Sequence, residues 1–464
     1  MNKNKKNITI LGLGKSGRAA VKLALSSGYS VCAVDSNDSD SLREFQRQFA
    51  DNEKIQFIFG QDNITFPDSE QIVISPGIRP DSTLGLAAAS SSVPTISELE
   101  FGLSFFNKPY LAVTGTNGKT TVTEMTTKIL QHCGLNAVSV GNIGIPASEI
   151  ALSNSNYDIA VVEASSFQLE NTVNFSPRGA ALLNIHSDHI DWHKSFDNYS
   201  NAKLKIFKNL INSNSSVINY NLLSLFKSAV GSNFKPFTFS YSSPNADIYY
   251  NSEENKIYSH ILHLPISTET LKQFSKYNIE NILAALSLSS IAIDDKKKLH
   301  QATVKLIDCF IPPLHRQELI AIQNGVKYIN DSKSTNPLAL IAALDASSQK
   351  DNSICLIAGG LDKQMDFSDV LKYKNKIKVV FLIGDSKKSL VSLWNYDIHC
   401  ILCNSLKEAV YAAADFADSG DVVLLSPGCA SMDMFENYQE RGNVFRNLVL
   451  NDIIENKQMQ MCSE

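Results

Sequence analysis

Residues 111–121 read LAVTGTNGKTT, an apolar run followed by a glycine-rich turn and a lysine. The run predicts a buried strand, and the residues that follow the turn have the pattern of a helix. Glycines let backbone N–H groups approach phosphate oxygens, Lys119 supplies positive charge, and the Thr120 hydroxyl can hold Mg²⁺. Two residues separate Gly115 from Gly118, where the common P-loop has four between its glycines. The stretch therefore predicts a shortened phosphate-binding loop at a strand-to-helix junction.

Similar short apolar runs recur along the chain, and helical patterns such as 339–344 and 408–417 lie between them. Strands that alternate with helices predict parallel sheets covered on both faces, the α/β class. The polar stretch 213–267 has a weaker pattern, with possible antiparallel strands around 237–241 and 256–264. The predicted strands elsewhere are 8–11, 30–34, 72–74, 111–113, 159–162, 180–183, 354–357, 379–383 and 422–425.

The chain has 464 residues, more than the roughly 250 to 300 at which a single hydrophobic core stops growing. Breaks rich in proline, asparagine and lysine fall at 107–109 and at 311–313. Such breaks are typical of linkers. We therefore predict three α/β domains, 1–108, 109–313 and 314–464.

Composition excludes several classes of protein. Hydrophobic residues make up 44% and charged residues 19%, and the net charge is −5 without a basic block, so a nucleic-acid partner is not expected. No apolar run reaches the roughly 18 residues of a membrane span, and the N-terminus does not have the pattern of a targeting segment. The eight cysteines are scattered. We expect a cytoplasmic protein, with Cys400 and Cys403 in a buried strand rather than in a metal site.

The first predicted strand runs into Gly12–Gly17, which fits GxGxxG, and Asp35 ends the next strand. This turn suits a phosphate at a helix N-terminus, and the acidic residue stands where a ribose ligand lies in dinucleotide-binding folds. The pattern leaves three readings open, namely a nicotinamide cofactor, another nucleotide, or a turn with no ligand. A second turn, Ser75–Gly77, also follows a strand and could line the same crevice.

Candidate metal ligands follow the two strands after the phosphate loop. Glu163 ends the run 159–162, and the next strand leads into a turn with His186, His189 and His193. A carboxylate at the end of a buried strand is costly unless it has a partner, which favours Glu163 as a Mg²⁺ ligand. The histidines fit either a zinc site or a solvated loop, and periodicity alone makes Lys203 an ordinary helix lysine.

Several longer motifs occur together. They are GTNGKTT at 115–121, EASSFQLE at 163–170, NxxxDHxD at 184–191, LHRQE at 314–318, NDSKSTNP at 330–337 and SPGCASMDMFENYQERG at 426–442. Together with GLGKSG at 12–17 they resemble the Mur ligases of bacterial peptidoglycan synthesis, and within that family the enzymes that add D-glutamate. The resemblance runs from the first strand to about residue 445.

The resemblance implies a Rossmann-like first domain for a uridine nucleotide, a central P-loop-type ATPase domain, and a dinucleotide-like third domain for the incoming amino acid. The implied reaction joins D-glutamate to UDP-N-acetylmuramoyl-L-alanine through an acyl phosphate, with ATP and two Mg²⁺ ions. We expect small-molecule substrates, no membrane partner and a monomer. A sister ligase or folate-type glutamate ligase, a nicotinamide oxidoreductase and a nucleotide-binding protein without turnover are the alternatives.

The resemblance to the Mur ligases also implies a role for individual residues that match the family's motifs. The catalytic residues implied are Lys119, Glu163, His189, Lys203 and Arg316. The ATP residues are Gly115, Thr116, Asn117, Gly118, Lys119, Thr120, Thr121, Asn278, Asn281, Arg316, Asp331 and Lys333. The UDP-substrate residues are Leu13, Lys15, Ser16, Asp35, Ser36, Ser75, Gly77, Asn142, Ser165 and Gln168. The D-glutamate residues are Thr335, Lys363, Ser431 and Tyr438. Thr120 and Glu163 would hold one metal, and His189 with a carbamylated Lys203 would hold the other.

Two positions depart from the family's pattern. Tyr277 stands where a histidine usually precedes the first adenine-side asparagine, and Tyr438 stands where an aromatic residue without a hydroxyl is common. Neither change removes a charge or a metal ligand.

Overall fold

The structure is a computed structural model that describes residues 6–61, 66, 69–142, 144–153, 156–210, 212–231, 234–262, 265–310, 314–347, 350–361 and 365–455. Its residues form two compact units. One unit comprises Met1–Ile185 and Trp192–Cys309, and the other comprises His186–Asp191 and Phe310–Glu464. Along the chain, the strands of each sheet alternate with helices, which confirms the α/β class predicted from the sequence.

The first sheet has five parallel strands in the order β3-β2-β1-β4-β5. Apolar residues cover both of its faces in two separate clusters, which explains why the strands appear in the sequence as short apolar runs. The strands are β1 Asn7–Leu11, β2 Ser30–Asp35, β3 Ile55–Phe59, β4 Gln71–Ile74 and β5 Thr95–Ser97. The helices are α1 Lys15–Ser26, α2 Asp40–Arg47, α3 Thr83–Ser90 and α4 Glu98–Ser104.

The second sheet has eight strands in the order β13-β12-β11-β10-β9-β6-β8-β7. Its strands are β6 Tyr110–Thr114, β7 Ala137–Gly141, β8 Ile159–Glu163, β9 Gly179–Leu182, β10 Ser216–Asn219, β11 Phe237–Ser240, β12 Ile248–Asn251 and β13 Lys256–Ser259. The helices after β6 are α5 Lys119–His132, α6 Ala147–Leu152, α7 Ser166–Glu170, α8 Ile190–His193, α9 Phe196–Leu204, α10 Leu223–Val230, α11 Lys276–Ser289 and α12 Lys296–Cys309.

The strands of the polar stretch are only partly as predicted. β11 lies within 237–241 but runs parallel to both β10 and β12, so the antiparallel expectation for it is wrong. β13 is antiparallel, to β12, and residues 263–264 of the second range lie outside the described residues. An alternating apolar pattern identifies a strand but does not specify the direction of its neighbours.

Helix α4 connects the first sheet to the second within the first unit. Its buried Glu98 accepts a hydrogen bond from Ser148 N at 2.8 Å. Its Glu100 accepts from Val173 N at 2.6 Å and from Asn174 N at 2.8 Å. These contacts place both sheets in one compact unit, so the domain boundary at 108 remains a prediction.

The third sheet has six strands in the order β14-β15-β19-β16-β17-β18, all parallel except β14. The strands are β14 Glu318–Gln323, β15 Val326–Asn330, β16 Ile354–Gly359, β17 Ile377–Ile383, β18 Cys400–Leu402 and β19 Val422–Leu425. The helices are α13 Pro337–Ser347, α14 Lys387–Trp394, α15 Leu406–Phe416 and α16 Tyr438–Asn447, and a π-helical segment follows at Leu448–Glu455. Short 3₁₀ segments of the chain are Lys205–Phe207, Ser213–Ser215, Tyr220–Leu222, Glu269–Gln273 and Ser368–Lys376.

Cys400 begins β18 and the buried Cys403 follows it, but the strand itself is only partly buried, so the prediction that both cysteines lie in a buried strand is wrong. Burial raises the pKa of each thiol to about 11, so both stay protonated at neutral pH. A protonated thiol is a poor metal ligand. None of the helices in the described ranges combines the length and apolar character needed to cross a bilayer.

The turn after β1 gives a direct test of backbone packing. A Cβ at Gly17 would lie 1.8 Å from Gly12 O and 2.9 Å from Ser75 Oγ, whereas a Cβ at Gly14 would meet no atom within 4 Å. We expect Gly17→Ala to lower the free energy of unfolding by about 2 kcal/mol or more, because the turn must open. Urea unfolding measures this change, and Gly14→Ala is the control. Equal effects of the two substitutions would contradict the packing described.

Candidate active site

The phosphate loop lies at the carboxyl edge of the second sheet, where three neighbouring strands end. β6 pairs with β8 on one side and with β9 on the other. Thr114 ends β6, and its hydroxyl donates to Ala164 O at 2.8 Å, just beyond β8. Gly118 has φ +87° and precedes α5, so the turn requires a glycine there. The predicted strand-loop-helix arrangement is confirmed.

Asn184 fixes the shape of this loop. Its carbonyl accepts from Thr116 N at 3.0 Å, and its side chain accepts from Asn117 N at 2.8 Å and donates to Asn117 O at 3.1 Å. The residue follows β9, whose end faces the loop. Sequence reasoning gave Asn184 no role, although it is the first residue of the NxxxDHxD motif.

Two lysine side chains converge on one backbone carbonyl in the loop. The ammonium of Lys119 donates to Gly115 O and to Thr116 O, each at 3.0 Å. The buried Lys203 donates to the same Gly115 O at 2.8 Å. Its Nζ also lies 4.6 Å from the centre of the Tyr199 ring, and Tyr199 Oη lies 2.9 Å from Thr116 Oγ1. Lys203 is therefore part of the site, and Tyr199 is a neighbour that the sequence did not reveal.

Glu163 is buried at the end of β8 and has one open carboxylate oxygen. Its Oε1 accepts from Asn142 Nδ2 at 2.8 Å. Its Oε2 has no hydrogen-bond donor among the residues that the structure describes. A buried carboxylate oxygen without a donor suits a hard cation. Thr120 lies half-buried in the first turn of α5, the position that a hydroxyl ligand to Mg²⁺ needs.

The histidines of the turn after β9 were the candidates for the alternative zinc site. His193 is buried, lies 3.0 Å from Ser166 Oγ through its Nε2, and stacks on Phe167. His189 has φ +53°, and its backbone N–H donates to Asp188 Oδ1 at 2.9 Å. Across the described ranges, no three His, Cys, Asp or Glu side chains group as a metal site. Mg²⁺ commonly takes only one or two protein carboxylates and completes its shell with water and phosphate.

Helix α11 brings one of the two asparagines predicted for the adenine side to the phosphate loop. Asn281 is buried, and its Oδ1 would lie 2.6 Å from a Cβ at Gly118. Asn278 lies in the first turn of α11, where its N–H donates to the capping hydroxyl of Ser275 at 3.3 Å. Tyr277 is half-buried beside it.

At the turn after β1, the structure gives Asp35 a bracing role. Its Oδ2 accepts from Leu13 N at 2.7 Å, and its Oδ1 accepts from Asn37 N at 2.9 Å. Ser75 Oγ donates to Gly12 O at 2.7 Å, so both strand ends support the same turn. The glycine turn and the Ser75 turn therefore line one edge of the sheet, as predicted.

The other predicted substrate residues of this unit lie in the first turn of α1, in the loops of the first sheet and at the start of α7. Lys15 Nζ donates to Gly144 O at 2.8 Å. Ser165 and Gln168 form the capping box of α7, with Gln168 N donating to Ser165 Oγ and Ser165 N donating to Gln168 Oε1. Their side chains are thus oriented by the helix end that they cap. Ser16 is the second residue of α1, Ser36 follows β2, and Gly77 ends the Ser75–Gly77 turn.

In the second unit, Asp331 is buried just after β15 and is held by two neighbouring segments. Its Oδ1 accepts from Gln317 N at 3.1 Å, and its Oδ2 accepts from Ser426 Oγ at 2.9 Å. Burial raises its pKa to about 6, although the charge of Arg316 acts in the opposite direction. Lys333 N donates to His315 O at 3.0 Å. The motif segments 314–318, 330–337 and the start of 426–442 therefore meet, as their shared family pattern implies.

Arg441 joins the loops that carry the remaining predicted residues. Its guanidinium is buried and donates to Ser332 O at 2.8 Å and to Cys429 O at 3.1 Å. Burial lowers its pKa to about 10, so it remains a cation at neutral pH. Sequence reasoning did not single it out. Thr335 and Ser431 lie in these loops and Tyr438 begins α16, whereas Lys363 lies outside the described residues.

Asp331 predicts a pH dependence of stability. Its folded pKa of about 6 is above the ordinary value of 3.8, so between these values the unfolded chain loses the proton while the folded chain keeps it. The contribution of Asp331 to the free energy of unfolding is therefore complete below about pH 4. It falls by about 3 kcal/mol in total as the pH rises to about 6. Asp331→Asn should remove this pH-dependent component.

Urea unfolding at several pH values, in wild type and Asp331→Asn, measures the effect. The buried Trp394 reports on the second unit when Trp192, the other of the two tryptophans, is replaced by phenylalanine in both proteins. A difference between the two unfolding free energies that is constant from pH 4 to pH 7 would contradict the raised pKa.

Comparison with known proteins agrees with these motifs. Residues 6–97 match the N-terminal domain of MurD-like Mur ligases, residues 113–289 match the Mur ligase middle domain, and residues 315–429 match the Mur ligase glutamate ligase domain. Among solved structures, MurF ligase from Thermotoga maritima in complex with ADP has a TM-score of 0.58 at 15% identity over 95% of this chain and 94% of its own. UDP-N-acetylmuramate-alanine ligase MurC from the same organism has a TM-score of 0.54 at 20% identity, over 98% and 99%. These structures show the three-domain fold.

Curated relatives match over nearly their whole length. The UDP-N-acetylmuramoylalanine–D-glutamate ligase of Natranaerobius thermophilus is 35% identical over 95% of this chain and 97% of its own. The ligase of the same name from Alkaliphilus oremlandii is 34% identical over 97% and 99%. The chain therefore belongs to the Mur ligase family, among its UDP-N-acetylmuramoylalanine–D-glutamate ligases.

Proposed function

We propose that this chain uses ATP to join D-glutamate to UDP-N-acetylmuramoyl-L-alanine, a step of peptidoglycan precursor synthesis, and that the residues assigned above carry out the reaction. One observation supports the assignment most strongly. The phosphate loop with Lys119 lies beside the strand end where Glu163 has an open, buried carboxylate oxygen. The curated relatives that match over nearly their whole length are named as ligases that perform this reaction.

The phosphate loop binds ATP through its backbone and through Lys119. The lysine ammonium now donates to two carbonyls of its own loop. These are neutral acceptors, and phosphate oxygens form stronger, charge-assisted bonds, so Lys119 turns to the β- and γ-phosphates when ATP binds. Asn278 and Asn281 lie on the adenine side, and Gly115, Thr116, Asn117, Gly118, Thr120 and Thr121 supply the rest of the loop.

Thr120 and Glu163 hold one Mg²⁺, and His189 with carbamylated Lys203 holds a second. The bound metal would neutralise charge on the nucleotide phosphates. Two positive amines that share Gly115 O repel each other in a buried setting. Addition of CO₂ to the neutral Lys203 amine, with loss of one proton, gives an anionic carbamate. That change relieves the repulsion and provides an oxygen donor that Mg²⁺ prefers.

The second unit supplies further charged groups for the reaction. Arg316, Asp331 and Lys333 act on the ATP side, and Thr335, Lys363, Ser431 and Tyr438 bind D-glutamate. In the first unit, Leu13, Lys15, Ser16, Asp35, Ser36, Ser75, Gly77, Ser165 and Gln168 bind or frame the UDP substrate. The monomeric state and the cytoplasmic location stay predictions from the sequence.

The chemistry proceeds in two displacements. A carboxylate oxygen of the alanyl group attacks the γ-phosphorus, and ADP leaves with the electrons of the broken P–O bond. The amine of D-glutamate then attacks the acyl carbon, phosphate leaves, and the nitrogen loses a proton. The first step brings together two anionic reactants, so Lys119 and Arg316 act mainly by offsetting their repulsion.

An assay of phosphate release tests the function. Wild type should release phosphate from ATP only when UDP-N-acetylmuramoyl-L-alanine and D-glutamate are both present, and L-glutamate should not replace the D-isomer. Lys119→Ala should lower kcat by about 100-fold or more, because it removes a charge that faces the transferred phosphoryl group. Release with another amino acid instead of D-glutamate would favour a sister ligase.

The control for Lys119→Ala is Lys128→Ala. Lys128 is an exposed lysine on the same helix, α5. Its removal changes the net charge equally but should leave kcat within about two-fold. Normal turnover by Lys119→Ala would disprove the assignment of the loop.

Carbamylation of Lys203 has a spectroscopic test. Wild type equilibrated with ¹³C-bicarbonate and Mg²⁺ should show a protein-bound carbamate carbon in its NMR spectrum. Lys203→Arg should lack this resonance, because a guanidinium does not form the carbamate under these conditions. Lys208→Arg, at an exposed lysine nearby in sequence, should retain it. A spectrum that is identical in wild type and Lys203→Arg would refute the modification.

A further inference from the structure

Asn142 contacts Glu163, the predicted metal ligand. Its side-chain Nδ2 donates to Glu163 Oε1 at 2.8 Å. Its backbone N–H donates to Glu163 O at 2.9 Å. Two hydrogen bonds thus join the same pair of residues, one through the backbones and one through the side chains, although the family resemblance places Asn142 at the uridine substrate.

The backbone around Asn142 is shaped to bring it this close. Gly141 ends β7 directly opposite Glu163 in the parallel pair. It has φ +106°, and a Cβ there would lie 2.3 Å from Glu163 O. Only glycine permits this approach. The turn therefore sets the position of the Asn142 amide relative to the carboxylate.

The Asn142 amide gives the two oxygens of the Glu163 carboxylate different surroundings. Oε1 accepts the Asn142 amide, which fixes the rotation of the carboxylate group. Oε2 remains buried without a donor in the described part of the chain. Groups that hold a metal ligand in place in this way commonly change metal affinity by about 10-fold to 100-fold when they are removed.

We infer that Asn142 is a positioning residue for the metal-binding carboxylate of Glu163, and that its main effect is on metal affinity rather than on binding of the UDP substrate. This inference rests on the proposed function, in which Glu163 holds Mg²⁺. It gives Asn142 a role different from the one implied by the family resemblance.

Binding of Mn²⁺ tests this role without turnover. Electron paramagnetic resonance would measure Mn²⁺ affinity in the full-length protein with a non-hydrolysable ATP analogue and without the UDP substrate. Asn142→Ala should weaken Mn²⁺ binding by about 10-fold to 100-fold. Calorimetry with UDP-N-acetylmuramoyl-L-alanine should give a Kd within about two-fold of wild type.

Two further variants separate positioning from general damage to the fold. Asn142→Gln retains an amide but displaces it by one methylene group, so it should weaken Mn²⁺ binding less than Asn142→Ala does. Asn136→Ala is the matched control, because Asn136 lies at the other end of β7 and its side chain donates only to Asn156 O, at 2.9 Å, in the structure described. This control should leave both affinities unchanged.

Opposite results would overturn the inference. If Asn142→Ala keeps the Mn²⁺ affinity of wild type while its Kd for the UDP substrate rises about 10-fold, Asn142 is a substrate contact. Glu163→Ala separates this failure from failure of the metal assignment. If Glu163→Ala also binds Mn²⁺ as wild type does, the proposed metal site is wrong. If Glu163→Ala loses Mn²⁺ binding while Asn142→Ala keeps it, the metal site stands and only the role of Asn142 is disproved.

Discussion

The parallel register of β6 between β8 and β9 determines where the chemical groups of the first unit lie. Val113 pairs with Glu163 on one side, and Thr114 pairs with Leu182 on the other. All three strands therefore end at one edge, and their polar residues emerge together. A shift of one residue would turn the buried Glu163 side chain to the other face of the sheet. The apolar residues that fill both faces prevent that shift.

This register also explains how a phosphate loop with only two residues between its glycines keeps its shape. A shorter loop has fewer backbone groups to bond to itself. Asn184, just beyond β9, supplies the missing partners through its carbonyl and both polar atoms of its side chain. The loop is thus stabilised by a neighbouring strand rather than by its own length, and this support exists only because β9 ends beside β6.

Several features that follow from local sequence were predicted correctly, although short strands such as β3 and β7 were missed. The strand before the phosphate loop, the helix after it and the carboxylate at the end of β8 each depend on a few consecutive residues. The turn at Gly12–Gly17 was also recognisable, but its ligand was not. In the structure both oxygens of Asp35 accept from backbone N–H groups of the loops beside it, so the acidic residue that suggested a ribose partner has a structural role.

Features that depend on contacts between distant residues could not be predicted in this way. Asn142 and Glu163 are 21 residues apart in the chain, and Arg441 and Ser332 are 109 apart. No periodicity connects such pairs. The predicted direction of β11 was wrong for the same reason, because pairing with β10 and β12 determines it.

Buried charge is the property that these distant contacts share. Lys203 and Arg441 are almost completely buried, and the hydrogen bonds described for each go to backbone carbonyls and a hydroxyl rather than to a carboxylate. A buried charge without an opposite charge destabilises the fold unless polar groups compensate for the lost water. Apolar replacements would pack more easily. The backbone carbonyls that accept from Arg441 therefore hold its guanidinium, and with it the loops around the predicted amino-acid site, in a fixed arrangement before a ligand binds.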